Sequence, residues 1–129
     1  MSIVAETGAR VREVLRRCEG GFLESVGFGT TGEEDHVDIQ ISQAQGWELV
    51  TVRLHGVRHF AIGKGPDIMG SFVDEVSAVP LPAGDPVWPV EVSGLITRFP
   101  GLPDLYWVRV VGPTELICLA TVLTVSVSA

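Results

Sequence analysis

Two runs decide the fold: His36-Val37-Asp38-Ile39-Gln40-Ile41-Ser42 and Val50-Thr51-Val52-Arg53-Leu54-His55. In the first, Val37, Ile39 and Ile41 alternate with Asp38, Gln40 and Ser42. In the second, Val50, Val52 and Leu54 alternate with Thr51, Arg53 and His55. A period of two puts the apolar side chains of each run on one face and the polar ones on the other, as in a strand with one wet side. Ala44-Gln45-Gly46 between them reads as a turn, so residues 36 to 55 form an antiparallel hairpin. Outward from it, Gly56 breaks the second run, Phe60 and Ile62 resume it, and Gly63-Lys64-Gly65-Pro66 is a loop.

Upstream, Val11, Val14, Leu15 and Cys18 recur at helical spacing while Arg10, Arg12, Arg16 and Arg17 fall elsewhere, so residues 8 to 18 are expected as an amphipathic helix stopped by Gly20-Gly21. Residues 22 to 28 are expected as a strand. Downstream, residues 68 to 79 fit either helical spacing (Met69, Phe72, Val73, Val76) or an irregular strand, and their valine and serine content favours the strand. The proline-rich stretch 80 to 89 is expected as a loop, 90 to 99 as a strand, and Tyr106, Val108 and Val110 as part of another. Leu116 to Val127 is apolar on both faces, which marks a central strand, bulged near Ala120. The expected fold is therefore mainly β (α+β). It is an antiparallel β-sandwich or flattened barrel of about seven strands with an N-terminal helix, forming a single domain over residues 1 to 129.

Composition agrees with that class and narrows function. The 129 residues are 46% hydrophobic and 19% charged, with twenty valines and a single lysine. That is a globular chain with strand-forming bias rather than a disordered one. The formal charge is -7 and the pI about 4.8. Nucleic-acid binders normally carry a basic face, so nucleic acid is excluded as the expected partner and a basic protein is permitted. The N-terminus lacks a secretory signal pattern, and 116 to 127 is too short and too rich in hydroxyls to span a bilayer. No membrane association is expected, and the chain is read as cytoplasmic, with Cys18 and Cys118 as buried reduced thiols.

The charge is unevenly placed. Residues 21 to 52 hold Glu24, Glu33, Glu34, Asp35, Asp38 and Glu48 and no Lys or Arg. Glu33, Glu34, Asp35 and Asp38 are the candidate contacts for a cationic protein partner, since complementary fields speed encounter. The same carboxylates with His36 have the oxygen chemistry for Ca²⁺ or Mg²⁺, but their order does not match an EF-hand loop. Trp88, between Pro86 and Pro89, is a candidate exposed aromatic anchor. His55 and His59 (HGVRH) would share a metal on a helix. On a strand they stand about 13 Å apart, so no metal and no cofactor is expected there. With Asp74, they are the candidate lining of a pocket in a ligand-binding or enzymatic barrel. Gly63-Lys64-Gly65-Pro66 lacks the phosphate-loop pattern, and no nucleophile signature is present.

The residues Val52-Arg53-Leu54-His55-Gly56-Val57-Arg58-His59-Phe60, followed by Val73-Asp74-Glu75-Val76 and the closing strand Leu116 to Val127, resemble small bacterial domains of the polymorphic-toxin immunity type. The resemblance covers about half the chain and rests on core alternation and one glycine. It implies a non-enzymatic immunity protein that neutralises a cognate bacterial toxin, with no catalytic residues. Two alternatives remain open: a small-ligand-binding or enzymatic barrel, and a self-assembling structural subunit whose apolar terminal strand pairs at an edge as a homo-oligomer.

Overall fold

The computed structural model describes residues 2–5, 8–32, 34–43, 48–64 and 72–128. In chain order its elements are β1 (Ser2–Ala5), α1 (Gly8–Arg16), β2 (Phe22–Thr31), β3 (Glu34–Ser42), β4 (Leu49–Lys64), β5 (Glu75–Leu81), α2 (Val90–Ser93), β6 (Leu105–Val111) and β7 (Thr114–Ser128). The fold is mainly β, as expected, with an N-terminal helix. All seven strands belong to one hydrogen-bonded sheet in the order β2-β3-β4-β7-β6-β5, with β1 added to β7. Every pairing is antiparallel.

The hairpin at the centre of the sequence reading is β3–β4. Val37 pairs with Leu54, Ile39 with Val52 and Ile41 with Val50, and all six side chains are fully buried. A slip of one residue would turn all six outward. At roughly 2 kcal/mol per buried aliphatic side chain, that costs on the order of 10 kcal/mol, comparable to the stability of a whole domain. The register is therefore fixed by burial. The turn expected at residues 44 to 46 lies outside the described residues.

Gly56 does not end the strand. β4 continues through it for sixteen residues, paired with β7 from Leu49↔Ser128 to Lys64↔Thr114. Gly56 adopts φ +64, a left-handed conformation that glycine takes without steric cost. The register shifts by one residue between Val57 and His59, so the expected irregularity near Ala120 falls on the strand opposite it. The Thr121 hydroxyl donates to the His55 carbonyl at 3.1 Å. A bulge of this kind bends its strand and increases the local twist. The inner faces of both halves of β4 and β7 consequently serve one core. Leu54, Val57, Phe60, Leu116, Cys118, Ala120, Leu123 and Val125 pack with Val11, Val14, Leu15 and Cys18 of the helical segment.

That segment ends at Gly20, φ 85. The Gly20 amide donates to the Val73 carbonyl at 2.8 Å, and the Val73 amide to the Gly21 carbonyl at 2.9 Å. With the isolated bridge Phe22↔Phe72, these bonds tie together the chain just ahead of β2 and β5, the two terminal strands of the path. Strand geometry begins at Glu75, within the stretch read as an irregular strand; residues 68 to 71 lie outside the described residues.

A second apolar cluster covers the outer face of the β5–β6–β7 half. Leu81, Leu105, Trp107 and Leu119 meet Trp88, Val92 and Leu102 from the long connection between β5 and β6. This is why the first half of β7 is apolar on both faces, whereas Thr124 and Ser126 put polar groups on the outer face of its second half. The strand expected over 90 to 99 is corrected: the structure places the short helix α2 there, followed by a turn. Val92 is buried, with Leu95 and Ile96 packed beside it. That i, i+3, i+4 spacing is helical, and Pro89 at the N-cap leads into it.

Candidate interaction site

The two halves of the sheet differ in cover. Over β5–β6 and the first part of β7, the second cluster closes the outer face. Over β2–β3–β4 and the last part of β7, the outer face carries small and polar groups. Its rows follow from the register. Gly29, His36, His55 and Val122 form one; Gly27, Asp38, Arg53 and Thr124 the next; Ser25, Gln40, Thr51 and Ser126 a third. His36, Asp38, Gln40, Thr51 and His55 are half-buried, and Arg53 is exposed.

Side-chain bonds cross the strands on this face. Arg53 donates to both oxygens of Asp38, Nε to Oδ1 at 2.7 Å and Nη2 to Oδ2 at 2.9 Å. Such a two-pronged contact is the strongest carboxylate–guanidinium geometry. The bond from Arg53 holds the Asp38 carboxyl below its ordinary range. Partial burial opposes this, while the charges of Arg53, His36 and His55 add to it. The same bond raises Arg53. The Ser25 hydroxyl donates to Gln40 Oε1 at 2.8 Å. His36 and His55 stand directly opposite each other, their ring centroids 6.0 Å apart.

The expected acidic patch is thereby divided. Asp38 is on the open face with its charge answered by Arg53. Glu34 is exposed and Asp35 half-buried at the β2–β3 turn, where Gly32 takes φ 67. Glu33 lies outside the described residues. Trp88 is corrected from an exposed anchor to a buried one, 3% exposed. Its indole N–H donates to the Pro82 carbonyl at 2.9 Å, and the Arg98 guanidinium lies 4.2 Å above its ring. Arg98 in turn donates to the carbonyls of Pro82, Gly84 and Pro86. This pair staples the proline-rich connection to itself.

The three residues read as a pocket lining go to three places. His55 faces His36. His59 lies beyond the bulge, opposite Leu119. Asp74 is exposed ahead of β5, its amide bonded to the Val111 carbonyl at 2.8 Å. Two larger hollows lie elsewhere. One of about 340 Å³ is lined by Asp85, Arg98 and Phe99 among others, with its arginine already committed to backbone carbonyls. The other, about 270 Å³, runs between α1 and β5 beside Arg12, Arg16 and Glu75. β7 is not the free edge that the self-assembly reading needs, because β4 pairs with it on one side and β6 and β1 on the other. Among the described residues no helix is long and apolar enough to cross a membrane.

Sequence reading alone gave Arg53 no role and grouped His36 with the acidic run rather than with His55. The signal was present: the register that pairs Val37 with Leu54 also pairs His36 with His55 and Asp38 with Arg53. No protein-family model matches the chain, and no curated protein is significantly similar to it.

Proposed function

We propose that the chain is a non-enzymatic protein-binding domain that presents the β2–β3 hairpin to a basic protein partner. The observation that carries this reading is the hairpin's charge. Residues 22 to 42 hold five carboxylates, Glu24, Glu33, Glu34, Asp35 and Asp38, and no Lys or Arg. Among the described residues, the one guanidinium that reaches them, Arg53, is bonded to Asp38. Glu24 and Glu34 are left exposed on a terminal strand and its turn. Fields of this kind act on encounter rate and partner choice. The half-buried and exposed polar side chains of the outer face beside the hairpin suit a protein surface better than a small ligand, which is usually held in a concave, mostly apolar pocket. An immunity protein acting on a basic toxin is the specific form of this reading that the sequence resemblance supports.

The test is affinity capture from the native host with the tagged wild type and the triple variant Glu24→Lys, Glu34→Lys, Asp35→Lys. The expected result is one stoichiometric basic protein held at low salt, released as salt rises, and lost with the variant. Capture that is equal for wild type and variant and indifferent to salt would remove the hairpin from the interface.

A further inference from the structure

The most specific constellation on the open face is the histidine pair. We propose that His36 and His55 together chelate one divalent transition-metal ion, leaving its remaining positions to solvent or to a group from a partner.

Directly opposite residues of an antiparallel pair share a face, and their Cβ atoms lie about 4.5–5.5 Å apart. Two imidazole nitrogens, each about 2.0–2.1 Å from a common ion, place the ring centroids about 5 Å apart. The observed 6.0 Å is within about 1 Å of that, a gap that rotation of the half-buried His55 ring closes. The backbone is already fixed. β3 is flanked by β2 and β4, and β4 by β3 and β7, so the cost of ordering two ligands is largely met by the fold.

Gly29 makes room for the pair. It lies beside His36 in the register, and a Cβ at that position would sit 2.9 Å from His36 Cε1 and 3.1 Å from Nε2. The next row, Asp38 with Arg53, is a closed ion pair and opposes a cation with no net charge. Among the described residues no group of three or more His, Cys, Asp or Glu forms a metal cluster. Among the described residues the proposed ligand set is thus two nitrogens, fewer than the four of a closed structural zinc centre. Imidazole selects copper, nickel or zinc over calcium and magnesium. This inference is independent of the acidic hairpin, since neither histidine supplies the charge on which that reading rests.

The test uses untagged full-length protein. Cu²⁺ is titrated calorimetrically into wild type, His36→Gln, His55→Gln and His59→Gln, and the electron paramagnetic resonance spectrum of the loaded protein is recorded. Circular dichroism checks that each variant is folded. The expected result is one ion per chain with two nitrogen ligands. Affinity falls at least tenfold in His36→Gln and in His55→Gln alike, and is unchanged in His59→Gln. Equal affinity in all four proteins, or loss on removal of His59, would overturn the proposal and leave adventitious binding only. Should either substitution unfold the chain, the Cu²⁺-loaded wild type decides: nitrogen coupling from two imidazoles supports the proposal, and coupling from one or none overturns it.

Discussion

Replacing Gly56 with alanine tests the account of the long strands directly. Gly56 has φ +64, and a left-handed conformation costs an ordinary residue about 1–2 kcal/mol. The added Cβ would lie 2.1 Å from Thr121 Oγ1 and 3.2 Å from Thr121 Cβ. The hydroxyl must move, and its bond to the His55 carbonyl is lost, a further 0.5–1.5 kcal/mol or about that. The total is about 1.5–3.5 kcal/mol. For a chain of 129 residues, an unfolding entropy near 2.1 cal/mol/K per residue makes each kcal/mol worth about 4 °C. Gly56→Ala should therefore lower Tm by about 6–14 °C in differential scanning calorimetry. Gly27→Ala is the control: its Cβ meets nothing within 4 Å, so Tm should stay within about 2 °C. A cycle with Thr121→Ala separates the two causes. In that background the penalty of Gly56→Ala should shrink by about 1 kcal/mol, leaving the backbone part. A Tm for Gly56→Ala within 2 °C of wild type would refute the reasoning. An undiminished penalty beside Ala at position 121 would refute the steric part of it.

Two further outcomes follow from the ionisable groups. The lowered Asp38 pKa means that its bond to Arg53 stabilises the fold above the ordinary carboxylate range and is lost as pH falls through the lowered value. The side chains are 51% and 28% exposed, so solvent screening limits the pair to about 0.5–1 kcal/mol. Asp38→Asn should cost that much in urea unfolding at pH 7 and progressively less as pH falls below the ordinary carboxylate range, and a gap that stayed constant down to acid unfolding would contradict the pairing. Burial pushes the thiols of Cys18 and Cys118 up to about 12, with Glu19 adding to the effect at Cys18. A disulfide reagent at pH 8 should therefore label neither in the native state and both in concentrated guanidinium. One fast equivalent in the native protein would show that a thiol is accessible.

What the sequence made legible was what burial repeats. β3 and the first half of β4 alternate because one face is core and the other is solvent. The first half of β7 is apolar on both faces because α2 and its flanking loop cover its outer face, while Thr124 and Ser126 mark the open face of its second half. The helix over Val11 to Cys18 declared itself by spacing. What was misread has physical reasons too. Val90 and Val92 look like strand alternation over so short a run, and only Leu95 and Ile96 complete the helical spacing. β1 has four residues and draws its order from pairing with β7, so nothing local marks it. Gly56 reads as a stop because glycine commonly ends strands, whereas here its conformational freedom lets one strand continue through a bend. Trp88 reads as exposed because prolines flank it, yet Arg98, ten residues further on, closes over its ring. The histidine pair was hidden by reading HGVRH along the chain: on a strand, the near neighbour of His55 lies across the ladder.

The same division of the sheet bears on where function can reside. In the β5–β6 half, side chains from both faces enter a core, Val76, Val108 and Val110 one cluster and Leu81, Leu105 and Trp107 the other. Polar substitutions there would strand polar groups in two cores at several kcal/mol each. On the β2–β3–β4 outer face, the side chains meet solvent and one another, and surface changes of that kind typically move stability by no more than about 0.5 kcal/mol. Folding therefore places few demands on which residues occupy that face. Yet it carries a two-pronged ion pair, two facing histidines and two adjacent glycines' worth of bare backbone on β2. Apolar-in, polar-out patterning would be met equally well by threonine, serine and lysine at those positions. The stability requirement explains the buried half of each strand and leaves most of the open face unconstrained. On the two proposals above, His36→Gln alters metal binding and Glu34→Lys partner binding while Tm stays within about 2 °C of wild type.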